Sequence, residues 1–261
     1  MLDSHAAAPF ATYPSLRSRV AVVTGGAEGI GESIVEHLAR QGSHVAFLDI
    51  QDASAHKLVE RLSLSATPPP LFLHCDLTDP QALSAAVAEI GRRFERIDIL
   101  INNAADDTRH TLEEVTPASW DRIMAINLKQ QFFMAQAVIP WMQGAGRGSI
   151  INLSSMAWII PSTGLPVYVT AKAAIVGLTR TLAHELGPGN IRVNCILPGA
   201  ILTDRQRRLW LTDAYQAEIL GSQALKRLLL PDEVARLALF LAADDSSAIT
   251  SQSCIIDGGW V

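Results

Sequence analysis

Short apolar runs alternate along the chain with longer stretches in which apolar residues return every three or four positions. Val20–Val23 is a short apolar run that stops at Thr24-Gly-Gly and reads as a buried strand. Ile30, Ile34, Val35 and Leu38 then recur at helical spacing, which predicts a helix over Ile30–Arg40. The same alternation predicts strands at Val45–Leu48, Leu71–Cys75, Ile97–Ile101, Ser149–Leu153, Ile191–Ile196 and near Cys254–Ile256. Helices are predicted between them over Ala53–Leu64, 80–94, 118–142, 166–186, 205–221 and 231–243. Strands alternating with helices of this length mean repeated βαβ units and a parallel sheet. Right-handed crossovers then give an α/β, doubly wound sheet of about seven strands with helices on both faces. Residues 1–17, rich in Ala, Ser and Pro, are expected to form a tail, and 18–261 a single domain without linker or repeat.

Composition agrees with that layering. Of 261 residues 49% are hydrophobic and only 18% charged, which suits strands covered on both faces and excludes disorder as the dominant state. The net charge of −5 argues against a nucleic-acid partner, whose footprint is a basic patch. The short cluster Arg205, Arg207, Arg208 lies beside acidic neighbours and reads as a solvated helix face. Three dispersed cysteines, Cys75, Cys195 and Cys254, suit a reducing compartment and have no metal-ligand spacing. The first residues carry an acid at Asp3 and no basic region, unlike a signal peptide, and no stretch reaches 18 apolar residues. A soluble, cytoplasmic protein with no membrane segment and no metal is expected.

The first strand runs into Thr24-Gly-Gly-Ala-Glu-Gly-Ile-Gly31 and then a helix. Glycines at 25, 29 and 31 permit a tight turn, a close approach of backbone to a pyrophosphate, and close packing of helix on strand. The helix that follows offers unpaired N–H groups and a partial positive charge to phosphates, so Gly25, Glu28, Gly29, Ile30 and Gly31 are candidate dinucleotide contacts. Asp49 ends the second strand 18 residues after Gly31, near the spacing at which an acid meets the adenosine ribose. A carboxylate accepts two hydroxyls but repels a 2′-phosphate. With Glu28 in the loop and no Arg or Lys between Asp49 and Lys57, NAD is favoured over NADP. Downstream, Tyr168 and Lys172 stand four apart on a predicted helix and hence on one face. An ammonium beside a phenol favours phenolate, which is expected to lower the Tyr168 pKa and make it a usable base.

With those elements in order the chain resembles the short-chain dehydrogenase/reductase family, over essentially residues 18–261. The motifs are the glycine-rich turn, Asp76-Leu77, Asn102-Asn103-Ala104, Asn127, Ser154-Ser155, Tyr168-x-x-x-Lys172, Pro198-Gly199 with Ile201 and Thr203, and Asp257-Gly-Gly. The resemblance implies a single-domain, Rossmann-like nicotinamide-dependent oxidoreductase acting on CH–OH groups. It implies Tyr168 as acid/base and as a cofactor contact, and Lys172 on the nicotinamide ribose. Ser155, thirteen positions before the tyrosine, is implied to bind the substrate oxygen, and Asn127 to anchor a water relay to Lys172. Asp76 and Leu77 would meet the adenine, Asn103 the adenosine-side ribose, and Ile201 and Thr203 beyond the Pro198-Gly199 turn the nicotinamide amide and phosphates. Ala105 departs from the family pattern, which has glycine there. A homotetramer is the family expectation; Phe132, Phe133, Val138, Ile175 and Leu178 would pack across subunits or against the sheet.

The substrate is read from the mouth of the site. Asp106-Asp-Thr-Arg-His110 follows the fourth strand at the carboxyl edge, where ligands of such sheets bind. Ser155-Met-Ala-Trp-Ile-Ile160 and Leu202-Thr-Asp-Arg-Gln-Arg207 flank the same mouth. A Trp face beside polar groups suits a sugar ring, so Arg109, His110, Trp158 and Gln206 join Ser155 and Tyr168 as substrate candidates. The local pattern is similar to the subgroup that oxidises free aldoses of the xylose, galactose, arabinose or fucose type at C1, giving an aldonolactone. Tyr13-Pro-Ser-Leu, Phe47-Leu-Asp-Ile50, Arg109-His110, Asp121 after Trp120, Thr203–Gln206 and Ile256-Asp-Gly-Gly-Trp260 carry that likeness. The alternatives are a keto reductase or secondary alcohol dehydrogenase acting on an acyl or cyclic substrate, and a non-catalytic NAD-binding sensor.

Overall fold

A computed structural model describes residues 10–66, 68–160 and 162–261. The strands are β1 (Val20–Thr24), β2 (His44–Asp49), β3 (Leu71–His74), β4 (Ile99–Asn102), β5 (Gly148–Leu153), β6 (Ile191–Pro198) and β7 (Ser253–Ile256). All pair in parallel, in the order β3-β2-β1-β4-β5-β6-β7. Successive side chains of a strand face opposite ways, and here both ways lead into a core. Ala21, Val23, Val45, Phe47, Ile99 and Ile101 pack on one face against α1 (Gly29–Arg40), α2 (Asp52–Ser63) and α9 (Pro231–Ala242). Val20, Val22, Ala46, Leu48, Leu100 and Ile150 pack on the other against α3 (Pro80–Phe94), α5 (Gln130–Ala145) and α6 (Pro166–Leu186). Near-continuous apolar strands and amphipathic helices follow from this layering. The chain reverses its direction of winding between β1 and β4, which opens a crevice at their carboxyl ends, where ligands of such sheets bind.

Three elements differ from the sequence expectation. Of the expected tail, residues 1–9 lie outside the described residues. Pro14–Leu16 forms a short 3₁₀ turn, Leu16 is fully buried, Tyr13 packs on the core and its N–H donates to Gln41 Oε1 at 2.8 Å. The packed chain therefore begins before residue 18, anchored by two apolar side chains in an otherwise small-residue stretch. The helix expected over 118–142 is α4 (Pro117–Met124), a π-helical segment Ala125–Lys129, and α5. The helix expected over 205–221 is broken into α7 (Asp204–Leu209) and α8 (Asp213–Ser222), each begun by a threonine, Thr203 and Thr212, that accepts from a backbone N–H.

The three cysteines are free, and burial pushes the Cys75 thiol up to about 11 and Cys195 to about 12, so neither is a thiolate nucleophile. Among the described residues no helix is long and apolar enough to cross a membrane.

Candidate active site

The glycine-rich turn is built by contacts that leave its helix end open. Gly25 has φ +65°, and a Cβ there would lie 2.8 Å from Ala104 Cα; a Cβ on Gly31 would lie 1.8 Å from the Gly25 carbonyl oxygen. Only glycine allows that backbone. Asn103 ties the turn to β4: its Nδ2 donates to the carbonyls of Thr24 at 3.0 Å and Gly25 at 2.8 Å. The Thr24 hydroxyl accepts the N–H groups of Asn103 and Ala104. The Asn103 amide, expected toward a ribose, is thus spent on the turn itself. Asp49 holds the other side, accepting from Ala27 N–H at 2.9 Å and from the Ile50 and Gln51 N–H groups at 2.8 and 3.0 Å.

Glu28 stands at the N-cap of α1, exposed, and makes no side-chain cap; its carboxylate accepts from the Ser54 hydroxyl instead. The first-turn N–H groups at Gly29, Ile30 and Gly31 therefore carry no side-chain partner, which is the arrangement a phosphate uses. Thr203 arrives from beyond β6, its methyl 3.2 Å from where a Gly29 Cβ would stand. These residues fit the pyrophosphate of a dinucleotide. Asp76 and Leu77 follow β3 next to Asp49, whose carbonyl accepts the Cys75 N–H. Asp76 accepts from the Thr78 hydroxyl and N–H, which hold its carboxyl below the usual range, while Leu77 is buried. Pro198 ends β6, and Ile201 behind it is buried.

Ser154 and Ser155 follow β5, and α6 carries Tyr168 and Lys172 past them. Ser154 is buried and donates to the Lys172 carbonyl at 2.6 Å. Ser155 accepts the Ala157 N–H, and its hydroxyl lies close enough to the Tyr168 hydroxyl to pull the phenol pKa down. Lys172 is 1% exposed; its Nζ donates to the Leu153 carbonyl at 2.9 Å and lies 5.4 Å from the centre of the Tyr168 ring. Burial lowers its pKa to about 8.

Tyr168 departs from expectation: burial and then Asp107 push its pKa up, against the nearby Ser155 hydroxyl and Arg109, which pull it down. Lys172 is not among these influences. Desolvation of a phenolate outweighs the neighbouring cation, whose ammonium is turned to Leu153.

Asn127 sits in the π-helical segment, fully buried. Its Oδ1 accepts the Asp106 N–H at 3.1 Å, and its Nδ2 donates to the carbonyls of Asp106 and Ile123, each at 3.0 Å. The amide anchors the loop after β4.

That loop forms one wall of the mouth. Asp107 accepts from Arg205 Nε at 2.8 Å and Gln206 Nε2 at 3.5 Å, which joins the loop to α7. Arg109 lies over the Trp210 ring at 5.2 Å. Arg205, expected on a solvated face, instead spans the mouth. Trp158 is 36% exposed at the rim. His110 is a correction to the substrate set: Nδ1 lies 3.0 Å from the Thr108 carbonyl and Nε2 3.3 Å from the Val167 N–H, so both nitrogens are engaged by backbone. Trp210 and Tyr215, the latter lining a small pocket with Ile201 and Gln206, were not among the expected site residues; the Thr-Asp pair at 212–213, a helix-start signal, would have placed Tyr215 on a separate helix. A surface groove of about 600 Å³, lined by Phe94, Arg96, Trp141 and Arg147, opens at the opposite edge of the sheet, away from these groups.

A family profile described as enoyl-(acyl carrier protein) reductase matches residues 25–261. A Rhizobium meliloti (strain 1021) protein named "Probable galactose dehydrogenase GalD" is 49% identical over 251 residues, 96% of this chain and 98% of the relative. The D-xylose 1-dehydrogenase of Caulobacter vibrioides (strain NA1000 / CB15N) is 45% identical over 250 residues, again 96% and 98%. Among solved structures, a 7α-hydroxysteroid dehydrogenase complexed with NADH and 7-oxo glycochenodeoxycholic acid superposes with a TM-score of 0.88 at 32% identity, covering 94% of this chain and 96% of that one. On the parallel sheet, the glycine-rich turn and near-full-length relatives of this closeness, the chain belongs to the short-chain dehydrogenase/reductase family of nicotinamide-dependent oxidoreductases.

Proposed function

We propose that the protein is an NAD-dependent aldose 1-dehydrogenase that converts the C1 hydroxyl of a free sugar of the galactose or xylose type to the aldonolactone. The observation that carries the sugar is the near-full-length identity to two relatives named for galactose and D-xylose. The polar mouth of Asp107, Arg109, Arg205 and Gln206 supports it, because the guanidinium and amide groups hold more N–H donors than these contacts use and can meet sugar hydroxyls.

Ser155 and Tyr168 bind the C1 oxygen, and Tyr168 as phenolate takes its proton. The Ser155 hydroxyl stays on the oxygen as its bond order rises. A nicotinamide held beside C1 would supply the hydride acceptor. Lys172 has three donors and spends one on Leu153, which leaves two for the ribose of the nicotinamide half. Turnover near neutral pH requires that Lys172, when protonated, and Arg109 offset the burial and the Asp107 charge that hold the Tyr168 proton on. The uncapped start of α1 with Thr203 takes the pyrophosphate, Asp76 and Leu77 flank the adenine, and Ile201 borders the nicotinamide.

Asp49 and Glu28 favour NAD: the Asp49 carboxylate keeps one lone pair beyond its three backbone donors, and a 2′-phosphate beside it meets two negative charges. Trp158 offers the sugar an apolar face, and Arg109 and Gln206 offer donors. A cytoplasmic homotetramer is the assembly we assign, with exposed Trp120 and Phe132 on α4 and α5 as apolar contacts.

The test is a panel of free aldoses with NAD, followed by NADH absorbance. Turnover of D-galactose or D-xylose is expected. Activity only on ketones with NADH would replace this reading by the keto-reductase one, and NAD binding without turnover of any substrate by the sensor.

A further inference from the structure

We propose that His110 is the amino-terminal cap of the catalytic helix, supplied from the loop after β4, and is thereby a positioning residue for Tyr168. Helix α6 begins without a cap of its own: Leu165 at the N-cap position is apolar and Pro166 has no N–H to satisfy. The first N–H of the helix belongs to Val167, a residue 1% exposed, so water does not serve it. Its partner is Nε2 of His110, 57 residues away in sequence.

The ring chemistry is consistent with a cap. The Thr108 carbonyl beside Nδ1 is an acceptor, so Nδ1 carries the hydrogen and Nε2 offers a lone pair to Val167. The His110 backbone N–H donates to the Gly164 carbonyl at 2.8 Å, a second tie to the segment that leads into α6.

The loop is pinned at both ends. Asn127 holds Asp106 by a reciprocal pair of backbone contacts, and His110 holds the start of α6. Between these pins lie Asp107 and Arg109, the two charges that bear on Tyr168. One residue after Val167 comes Tyr168 itself. His110 therefore fixes the first turn of α6, and with it the phenol, to the wall that carries those charges.

This inference rests on Tyr168 being the base, so its test includes a readout that needs neither substrate nor cofactor. Hydrogen exchange of the amides at 167–169 and steady-state kinetics at saturating NAD are compared in wild type, His110→Ala, His110→Phe and His110→Gln. Loss of a cap is expected to speed exchange and to lower kcat about fivefold in the Ala variant, with KM for the sugar within about twofold. The Phe variant keeps the ring bulk without the acceptor and is expected to match Ala. The Gln variant presents an amide oxygen to Val167 and is expected to restore both exchange and kcat. Unchanged exchange or unchanged kcat in the Ala and Phe variants would overturn the proposal. So would a raised KM at constant kcat, which would make His110 a substrate ligand, or a Gln variant that matches Ala. If Tyr168→Phe retained turnover, the base reading would fail while the exchange result still stood.

Discussion

Replacing Asp49 by asparagine separates its contacts in the glycine-rich turn from the cofactor selectivity proposed for it. The carboxylate accepts from Ala27 through Oδ2 and from Ile50 and Gln51 through Oδ1. An amide has one acceptor oxygen, so the variant keeps the Ala27 contact or the Ile50 and Gln51 pair, and faces the other with an NH₂ group. One bond to an ionised acceptor is lost in a side chain 7% exposed, which costs about 1.5–3 kcal/mol and weakens both cofactors through the turn. The difference between cofactors has another origin. A neutral acceptor in place of a charged one halves a ribose hydrogen bond, about 1 kcal/mol against NAD. Removing a like charge about 5 Å from a 2′-phosphate relieves about 1–3 kcal/mol for NADP, at an effective dielectric between 80 and 20. Together the NAD-to-NADP preference should fall by about a hundredfold. The assay is kcat/KM for each cofactor at fixed ionic strength, with melting temperature measured in parallel. If both cofactors weaken equally and their ratio holds, Asp49 only braces the turn and the selectivity argument fails.

Lys172→Met tests the cost of burying an ammonium. The folded pKa of about 8 against 10.5 means a penalty of about 3 kcal/mol, present in full below pH 8. Between pH 8 and 10.5 only the unfolded chain stays protonated, so wild-type stability rises across that window. After about 1 kcal/mol for the deserted Leu153 carbonyl, the Met variant should be about 2 kcal/mol more stable than wild type at pH 7 without cofactor. That advantage should shrink toward pH 10; denaturant melts along a pH series read it, and a constant gap would contradict the assignment. Asn127→Ala removes three buried hydrogen bonds, about 3 kcal/mol, and should lower the melting temperature on the order of 6–12 °C while cutting kcat. Calorimetry with an unchanged midpoint would mean that the loop after β4 is held by other contacts.

The sheet was legible because its signal is local: Val20–Val23 is an unbroken apolar run, and Ile97–Ile101 and Ile191–Ile196 are apolar-rich, interrupted only by Asp98 and by Arg192 and Asn194. Strand order and the crevice beyond β1 and β4 follow from right-handed crossovers. Irregular helix was not legible. The π-helical turn around Asn127 differs from α-helix by one hydrogen-bond offset, which apolar periodicity does not register. Tyr168 and Lys172 were placed by their spacing, yet the direction of the Tyr168 shift was not, since it depends on desolvation and on Asp107, 61 residues away. His110 shows the same limit. Its sequence position at the mouth suggested a substrate contact, whereas its ring is committed to two backbone groups that only the folded chain brings together.

The central claim is that Tyr168 exchanges a proton with the substrate oxygen while taking no part in holding the dinucleotide turn. Replacing it with phenylalanine removes one oxygen and leaves α6, Lys172 and the glycine-rich loop in place. Measured side by side with wild type on an aldose, NADH formation should fall by at least about a thousandfold, within the range general acid–base catalysis contributes. NAD affinity by fluorescence titration should stay within about threefold, well under the factor of ten that 1.4 kcal/mol represents. Turnover retained within tenfold of wild type, or NAD binding lost together with activity, would contradict the account.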